Sequence, residues 1–405
     1  MRATGILTPG ALWPEGPTRP RTDGDDHARG VRTALSGHGR RALWSGDPRL
    51  EGVVLASSLA HQDSGTLSGG REHASGRGHS HGGDVGPTGG GSATRGPAFD
   101  LTVDNDGYVW WYVDALSDDE QYGLTLIAML GSVFSPYYAW SRQRGNADPL
   151  DHCALNVALY GRRGKRWAMT ERGRAALQRD RTNLVIGPSH VHWEGDALVI
   201  DIDEISAPIP SRLRGRVRVH PSGINGRDFA LDAAGRHRWW PIAPLARVEV
   251  DFTNPGLSWK GTGYLDSNRG SEPVERAFQG WDWSRAELKH GAAILYDTRA
   301  RDDQGAHLAL RFDANAEVDE FALPPRAPLP TTSVWRIERG IQCEAGDEPR
   351  VVTTLEDTPF YARSVVETRL LGQRATSVHE SLCLDRFSTQ WVKVLLPFRM
   401  PRVKR

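Results

Sequence analysis

Beyond residue 97 the chain is written in short alternating segments. Fourteen of them, from YVWWYVDA (108–115) and YGLTLIAML (122–130) to SVHESLCLD (377–385) and TQWVKVLL (389–396), are rich in β-branched and aromatic residues and bounded by Gly, Pro, Asp or Asn. A period of two sends successive side chains to opposite faces of a strand, and the bounding residues favour turns. Only ERGRAALQRD (171–180) reads as a helix. Without strand–helix alternation, Rossmann and TIM-barrel folds are excluded. The pattern predicts an all-β fold, built as two antiparallel barrels or sandwiches of the kind that often hold an apolar ligand. HWEGDALVIDID is a predicted hairpin with Glu194-Gly195-Asp196 at its tip.

The first 97 residues have a different texture. Residues 1–100 hold 21 of the 44 glycines and 6 of the 14 histidines. Segment 62–97 contains 12 glycines and no aromatic residue, with Leu67 and Val85 as its large aliphatics. Such a composition buries too little apolar surface to offset about 1–2 kcal/mol of backbone entropy per residue. Residues 1–97 are therefore expected to be a disordered, low-complexity tail, with His73, His79 and His81 solvated in it. A second break in strand signals, at 221–246, divides the body into domains 98–235 and 236–405. The prolines at 324, 325, 328 and 330 predict a loop.

Charge and cysteine content remove several classes of function. Fifty Lys+Arg balance 50 Asp+Glu, which argues against nucleic-acid binding by counterion release. Cys153, Cys343 and Cys383 are too scattered for a disulfide framework or a Cys-based zinc site. No apolar run reaches the roughly 18–20 residues that span a bilayer, and the N-terminus has no signal-peptide pattern. The most hydrophobic run, Leu124 to Trp140, is interrupted by Gly131, Ser132, Ser135 and Pro136 and reads as a buried strand and turn.

Two stretches could carry chemistry. If SWKGTGYLD is a strand, Lys260, Thr262, Tyr264 and Asp266 share one face, and Gly261 and Gly263 permit close backbone approach on the other. By pattern alone, however, Asp266-Ser267-Asn268 reads as a turn. In RHRWWPIAP (236–244), His237 and Trp239 share a side of an extended chain, although a proline-stiffened linker is the simpler reading. His190 and His192 have strand spacing for two metal ligands, but no third ligand follows, and a half-buried strand is expected. Asp282 in GWDWS reads as core, and the basic end FRMPRVKR as frayed and solvated. GxSxG, P-loop, CxxC and dinucleotide motifs do not occur.

HRWWPIAP and GTGYLDSNRG, within a stretch running from FDLTVDNDGYVWWYVDALSDD near Phe99 to VHESLCLDRFSTQWVKVLLPFRMPR at Arg402, resemble the carotenoid 1,2-hydratases (hydroxyneurosporene synthases) of purple photosynthetic bacteria. That resemblance implies two lipocalin-like, calycin-type β-domains with the site at their junction. It implies addition of water across the terminal C1–C2 double bond of acyclic carotenoids such as neurosporene and lycopene. It also implies His237, Trp239, Tyr264 and Asp266 as catalytic residues, and neither organic cofactor nor metal. A wider set of two-domain relatives, which includes pericyclase-type enzymes, tends to have an aromatic residue after the Asn of its YxDxN motif. Arg269 stands there in this chain.

These residue types suit alkene hydration. A carboxylic acid protonates an olefin only if it is neutral, whereas an exposed Asp, with a pKa of about 3.9, is ionised. Burial among rings raises it. Aromatic faces such as those of Trp239 and Tyr264 stabilise a cation without capturing it, and His237 either takes a proton from the attacking water or tunes Asp266. A C40 polyene is longer than one barrel, so the enzyme is expected to sit peripherally on the cytoplasmic or photosynthetic membrane, with no spanning helix. The competing functions are a carrier of hydrophobic ligands and a cyclase or pericyclase on the same scaffold.

Overall fold

The computed structural model describes residues 96–403 except Asn146 and Arg163. Residues 1–95 of the expected tail, with its histidines, and the last two residues lie outside the described part, while Pro97 at the tail's end is buried and accepts from Trp193 Nε1. The fold is all-β, with 13-stranded and seven-stranded sheets, a two-stranded ribbon and a few short helices.

The first sheet grows in sequence order from two halves. Strands 108–117, 123–130, 153–160 and 166–172 form one antiparallel meander, and 177–179, 183–186, 189–194, 197–205 and 212–221 form another. Strands His237–Asn254 and Leu257–Gly270 join them, because 257–270 pairs with 108–117 and 237–254 pairs with 212–221. The sheet curls until Arg172 on one arm forms a buried ion pair with Glu204 on the other, at 2.8 Å. Its concave side is filled by Val109, Trp111, Leu126, Leu155, Ile200 and Leu265, among others.

The second sheet runs in the order 318–320, 307–312, 291–300, 278–288, 373–383, 361–370, 350–357. It covers the convex side of the first. The strand Tyr108–Ser117 is therefore buried on both faces. Val109, Trp111 and Val113 enter the first core, while Tyr108, Trp110 and Tyr112 enter an aromatic layer between the sheets. A strand covered on both faces need not alternate in hydropathy, and YVWWYV does not.

Several expectations are corrected. Segment 236–244 is no linker but the start of an 18-residue strand. Pro241 and Pro244 lack an N–H for the ladder, and the register shifts between Trp240 and Ala243 and again between Ala243 and Ala246. Asp266-Ser267-Asn268 is not a turn, since strand 257–270 runs through it to Gly270. Segment 171–180 holds a single 3₁₀ turn, Arg174–Ala176, between strands. Segment 389–396 is helical over Gln390–Leu395, and part of the proline-rich loop, Arg326–Leu329, pairs with Arg339–Gln342. The C-terminal segment is paired as far as the described residues go, with Arg402–Val403 adding a parallel bridge to Glu171–Arg172. Strands 237–254 and 257–270, which lie beyond residue 236, hydrogen-bond into the first sheet, and the second sheet begins at Phe278.

Candidate active site

Strand period and register bring the four candidate residues into the layer between the sheets. Along 257–270, Tyr264, Asp266 and Asn268 point at the second sheet while Leu265 points into the first core. Trp239 is the cross-strand partner of Asn268, and His237 that of Gly270. Gly263 is needed for this approach, because a Cβ there would lie 2.4 Å from Val248 Cγ2 and 2.8 Å from the Asp114 carbonyl oxygen. Gly270 leaves room for the ring beside it, since its Cβ would sit 2.6 Å from His237 Nδ1. Lys260 lies on the same strand face but outside this layer, exposed and paired with Glu249.

Asp266 is 5% exposed. Its Oδ2 accepts two hydrogen bonds, from Tyr264 Oη at 2.8 Å and from Trp239 Nε1 at 2.9 Å. Oδ1 is buried without a protein partner. Burial pushes the carboxyl up to about 8, against the pull of its two donors and with the negative charges of Glu380 and Asp114 adding to the rise. At neutral pH the group is a carboxylic acid. Because both donors occupy Oδ2, Oδ1 is the oxygen left to carry the acid hydrogen.

Rings enclose this acid. Tyr264 lies 5.2 Å from Trp283 and 6.1 Å from Tyr112 between ring centroids, and Trp239 lies 5.3 Å from Tyr296 and 5.7 Å from Phe229. Burial, with the Asp266 charge beside it, holds the Tyr264 phenol well above its usual range, so it remains a hydrogen-bond donor.

His237 is fully buried but is not hydrogen-bonded to Asp266. Its Nδ1 lies 2.9 Å from Tyr108 Oη, its Nε2 faces Glu272 at 3.6 Å, and Phe278 packs edge-on against the ring at 4.9 Å. Burial lowers its pKa despite the nearby Asp232 and Glu272 carboxylates, so the imidazole is neutral at pH 7. Asp232, His237 and Glu272 are close enough to share a cation. The Arg236 guanidinium already supplies positive charge there, with Nε 2.9 Å from Glu272 Oε1. His190 and His192 lie on a half-buried strand as expected, but a third group that their spacing did not show, Asp201, stands beside them as the cross-strand partner of His190. The two imidazoles stack at 4.1 Å, and Asp201 is held by Arg216 at 2.6 Å.

Sequence reasoning missed the ionic cluster beside the acid. Asp114 on the first sheet is fully buried, and Arg285 and Arg363 of the second sheet bind its carboxylate. Although burial opposes it, these two guanidinium groups hold Asp114 below the usual carboxylate range. Tyr112 Oη lies between two carboxylates, 3.0 Å from Asp114 Oδ2 and 2.8 Å from Glu380 Oε1, with one hydrogen to give to either, and Arg363 also binds Glu380. The available signal was Tyr112 and Asp114 sharing a strand face, but their partners lie about 170 to 270 positions away. Asp282 is core, as expected, and is neutralised by Arg299 and Arg326 at 2.8 and 2.9 Å.

A family model described as carotenoid hydratase CrtC matches residues 126–405. The acyclic carotenoid 1,2-hydratase of Thiocapsa roseopersicina is 62% identical over 403 residues, covering 100% of both chains. That of Rubrivivax gelatinosus is 48% identical over 378 residues, 93% of each chain. Among solved structures, kievitone hydratase from Nectria haematococca aligns at 10% identity with a TM-score of 0.45, over 72% of this chain and 98% of that one.

Proposed function

Because the chain belongs to the carotenoid hydratase family, we propose that it adds water across the terminal C1–C2 double bond of an acyclic carotenoid, and that Asp266 is the acid. The observation that carries this reading is a buried carboxyl, pushed up to about 8, in an aromatic layer with one oxygen free of protein partners.

The Asp266 Oδ1 hydrogen passes to C2 as the π electrons of the C1–C2 bond form the new C–H bond. A tertiary cation develops at C1, and Asp266 becomes a carboxylate. Trp239 and Tyr264 then donate to a charged acceptor, and such bonds are roughly twice as strong as neutral ones. Their donation therefore favours the transition state over the resting acid. The faces of Tyr264, Trp283 and Tyr112 stabilise the cation electrostatically, by about 2 kcal/mol or more when water is excluded. Water attacks C1, and its proton goes to His237 Nε2, where Glu272 offsets the imidazolium charge. This step uses the tautomer with hydrogen on Nδ1, donated to Tyr108 Oη. Net transfer of that proton back to Asp266 restores the resting enzyme, so no cofactor is consumed.

A C40 substrate resides in lipid, so the protein works in peripheral contact with a membrane. Among the described residues no helix is long and apolar enough to cross one. The test is incubation with lycopene in H₂¹⁸O. Label in a tertiary 1-hydroxy product is expected. Lycopene recovered unchanged from a stable complex, or an unlabelled cyclic isomer, would instead make the protein a carrier or a cyclase.

A further inference from the structure

The C-terminal helices carry a feature that the site chemistry does not use. Helix Gln390–Leu395 and the turn Leu396–Phe398 bury Val392 in the inter-sheet layer but leave Trp391, Val394, Leu395 and Phe398 in solvent. Phe398 is 67% exposed and Trp391 45%. Trp391 stacks on Trp335 at 5.9 Å, next to Val334, which is also exposed. These residues form an aromatic and aliphatic face, and the chain that follows them bridges to the first sheet at Arg402–Val403. The exposed charge beside it is that of Arg399, because Lys393 is buried, Arg402 is paired with Glu171 and Arg386 donates to the Trp335 carbonyl oxygen. Arg399 is exposed and sits over the Trp167 ring at 4.8 Å, clear of any carboxylate salt bridge among the described residues.

Rings continue inward from the buried side of the same helices. Phe387 contacts Phe360 at 5.1 Å and Phe134 at 5.8 Å, and Phe134 reaches Trp110 at 6.5 Å. Trp110 stacks on Tyr108 at 4.9 Å, and Tyr108 is the hydrogen-bond partner of His237. The buried side of these helices and the rings around the acid thus belong to one aromatic layer.

We propose that the face made by Trp391, Val394, Leu395 and Phe398, with Arg399 at its rim, docks on an anionic lipid leaflet and admits the carotenoid end group along the Phe387–Phe134–Trp110 path. The admission step rests on the hydratase reading, whereas the docking step does not. Exposed Trp and Phe fit the interfacial region of a bilayer, and basic residues add attraction to anionic headgroups.

The test uses the full chain with phosphatidylglycerol-containing and pure phosphatidylcholine vesicles, read by co-flotation. Wild type should partition more strongly onto the anionic vesicles, and 1 M salt should weaken this as the screening length falls to about 3 Å. Phe398→Ser and Trp391→Ala together should cut partitioning by roughly tenfold or more, and Arg399→Gln should reduce the preference for anionic lipid. Phe398→Ser alone tests the same point if the double variant fails to fold. Unchanged partitioning of the variants, or no binding by wild type, overturns the proposal. So does a dimer of wild type in solution that these substitutions dissociate, because the face then belongs to a second copy. Hydration of vesicle-borne lycopene should fall with binding, while hydration of detergent-dispersed lycopene should not. If wild type hydrates neither, the functional reading fails and the flotation result still decides docking.

Discussion

The two donors on Asp266 Oδ2 set how the acid responds to substitution. Asp266→Asn keeps the shape but has no acidic hydrogen, so we expect single-turnover hydration to fall by at least about 10³-fold with the circular dichroism spectrum unchanged. Trp239→Phe keeps a ring and removes an N–H that favours the ionised carboxyl. It should retain more activity than Trp239→Ala, and the alkaline fall in kcat/KM should move to higher pH. In wild type that fall should lie near pH 8, where Asp266 ionises, while the acidic fall lies below the ordinary imidazole value because burial lowers His237. A fall that stays in place in Trp239→Phe would show that the indole does not act on the acid. Stability follows the same group. Its folded pKa is raised above the unfolded value of about 3.9, so its contribution is intact below that value and is lost as pH rises towards 8. Asp266→Asn should therefore melt higher than wild type at pH 9 and at a similar temperature near pH 4.

At the scale of single strands, Gly263 decides whether 257–270 can lie against its neighbours. Gly263→Val would drive side-chain atoms into Val248 and the Asp114 carbonyl, and overpacking of this kind costs about 1–3 kcal/mol or more. We expect a lowered melting temperature together with lost activity, because Tyr264 is the adjacent residue. This strand was legible in part. Period two placed Tyr264 and Asp266 on one face, but Asp-Ser-Asn also suits a turn, and it is pairing with Trp239 and Trp240 on one side and with Trp110 to Tyr112, more than 150 positions away, on the other that keeps it extended. His237 and Trp239 were harder to place, since Pro241 and Pro244 argue against a central strand and are tolerated only at register shifts. Gln390–Leu395 was read as a strand because a short apolar run with a Lys in it fits either period.

Across the whole molecule, the two sheets are joined by aromatic packing and by the Asp114–Arg285–Arg363–Glu380 cluster. Removing one member leaves the others charged and buried, at a cost of about 3–5 kcal/mol. Asp114→Asn should accordingly lower the urea midpoint substantially, and it also removes a negative charge that raises Asp266. A change of a few tenths of a kcal/mol would mean that rings alone hold the sheets together. The all-β class and the hairpin at Glu194-Gly195-Asp196 were readable because they depend on local period and turn residues. The ionic cluster was not, because its members come from strands whose face-to-face packing no local pattern encodes.

The most direct measurement is the ionisation state of one side chain. Infrared difference spectra of wild type minus Asp266→Asn, recorded from pH 5 to 10, isolate the Asp266 carboxyl stretch. We expect the protonated C=O band at pH 7 and its replacement by carboxylate bands near pH 8. Carboxylate bands already complete at pH 5 would contradict the assignment of Asp266 as the acid.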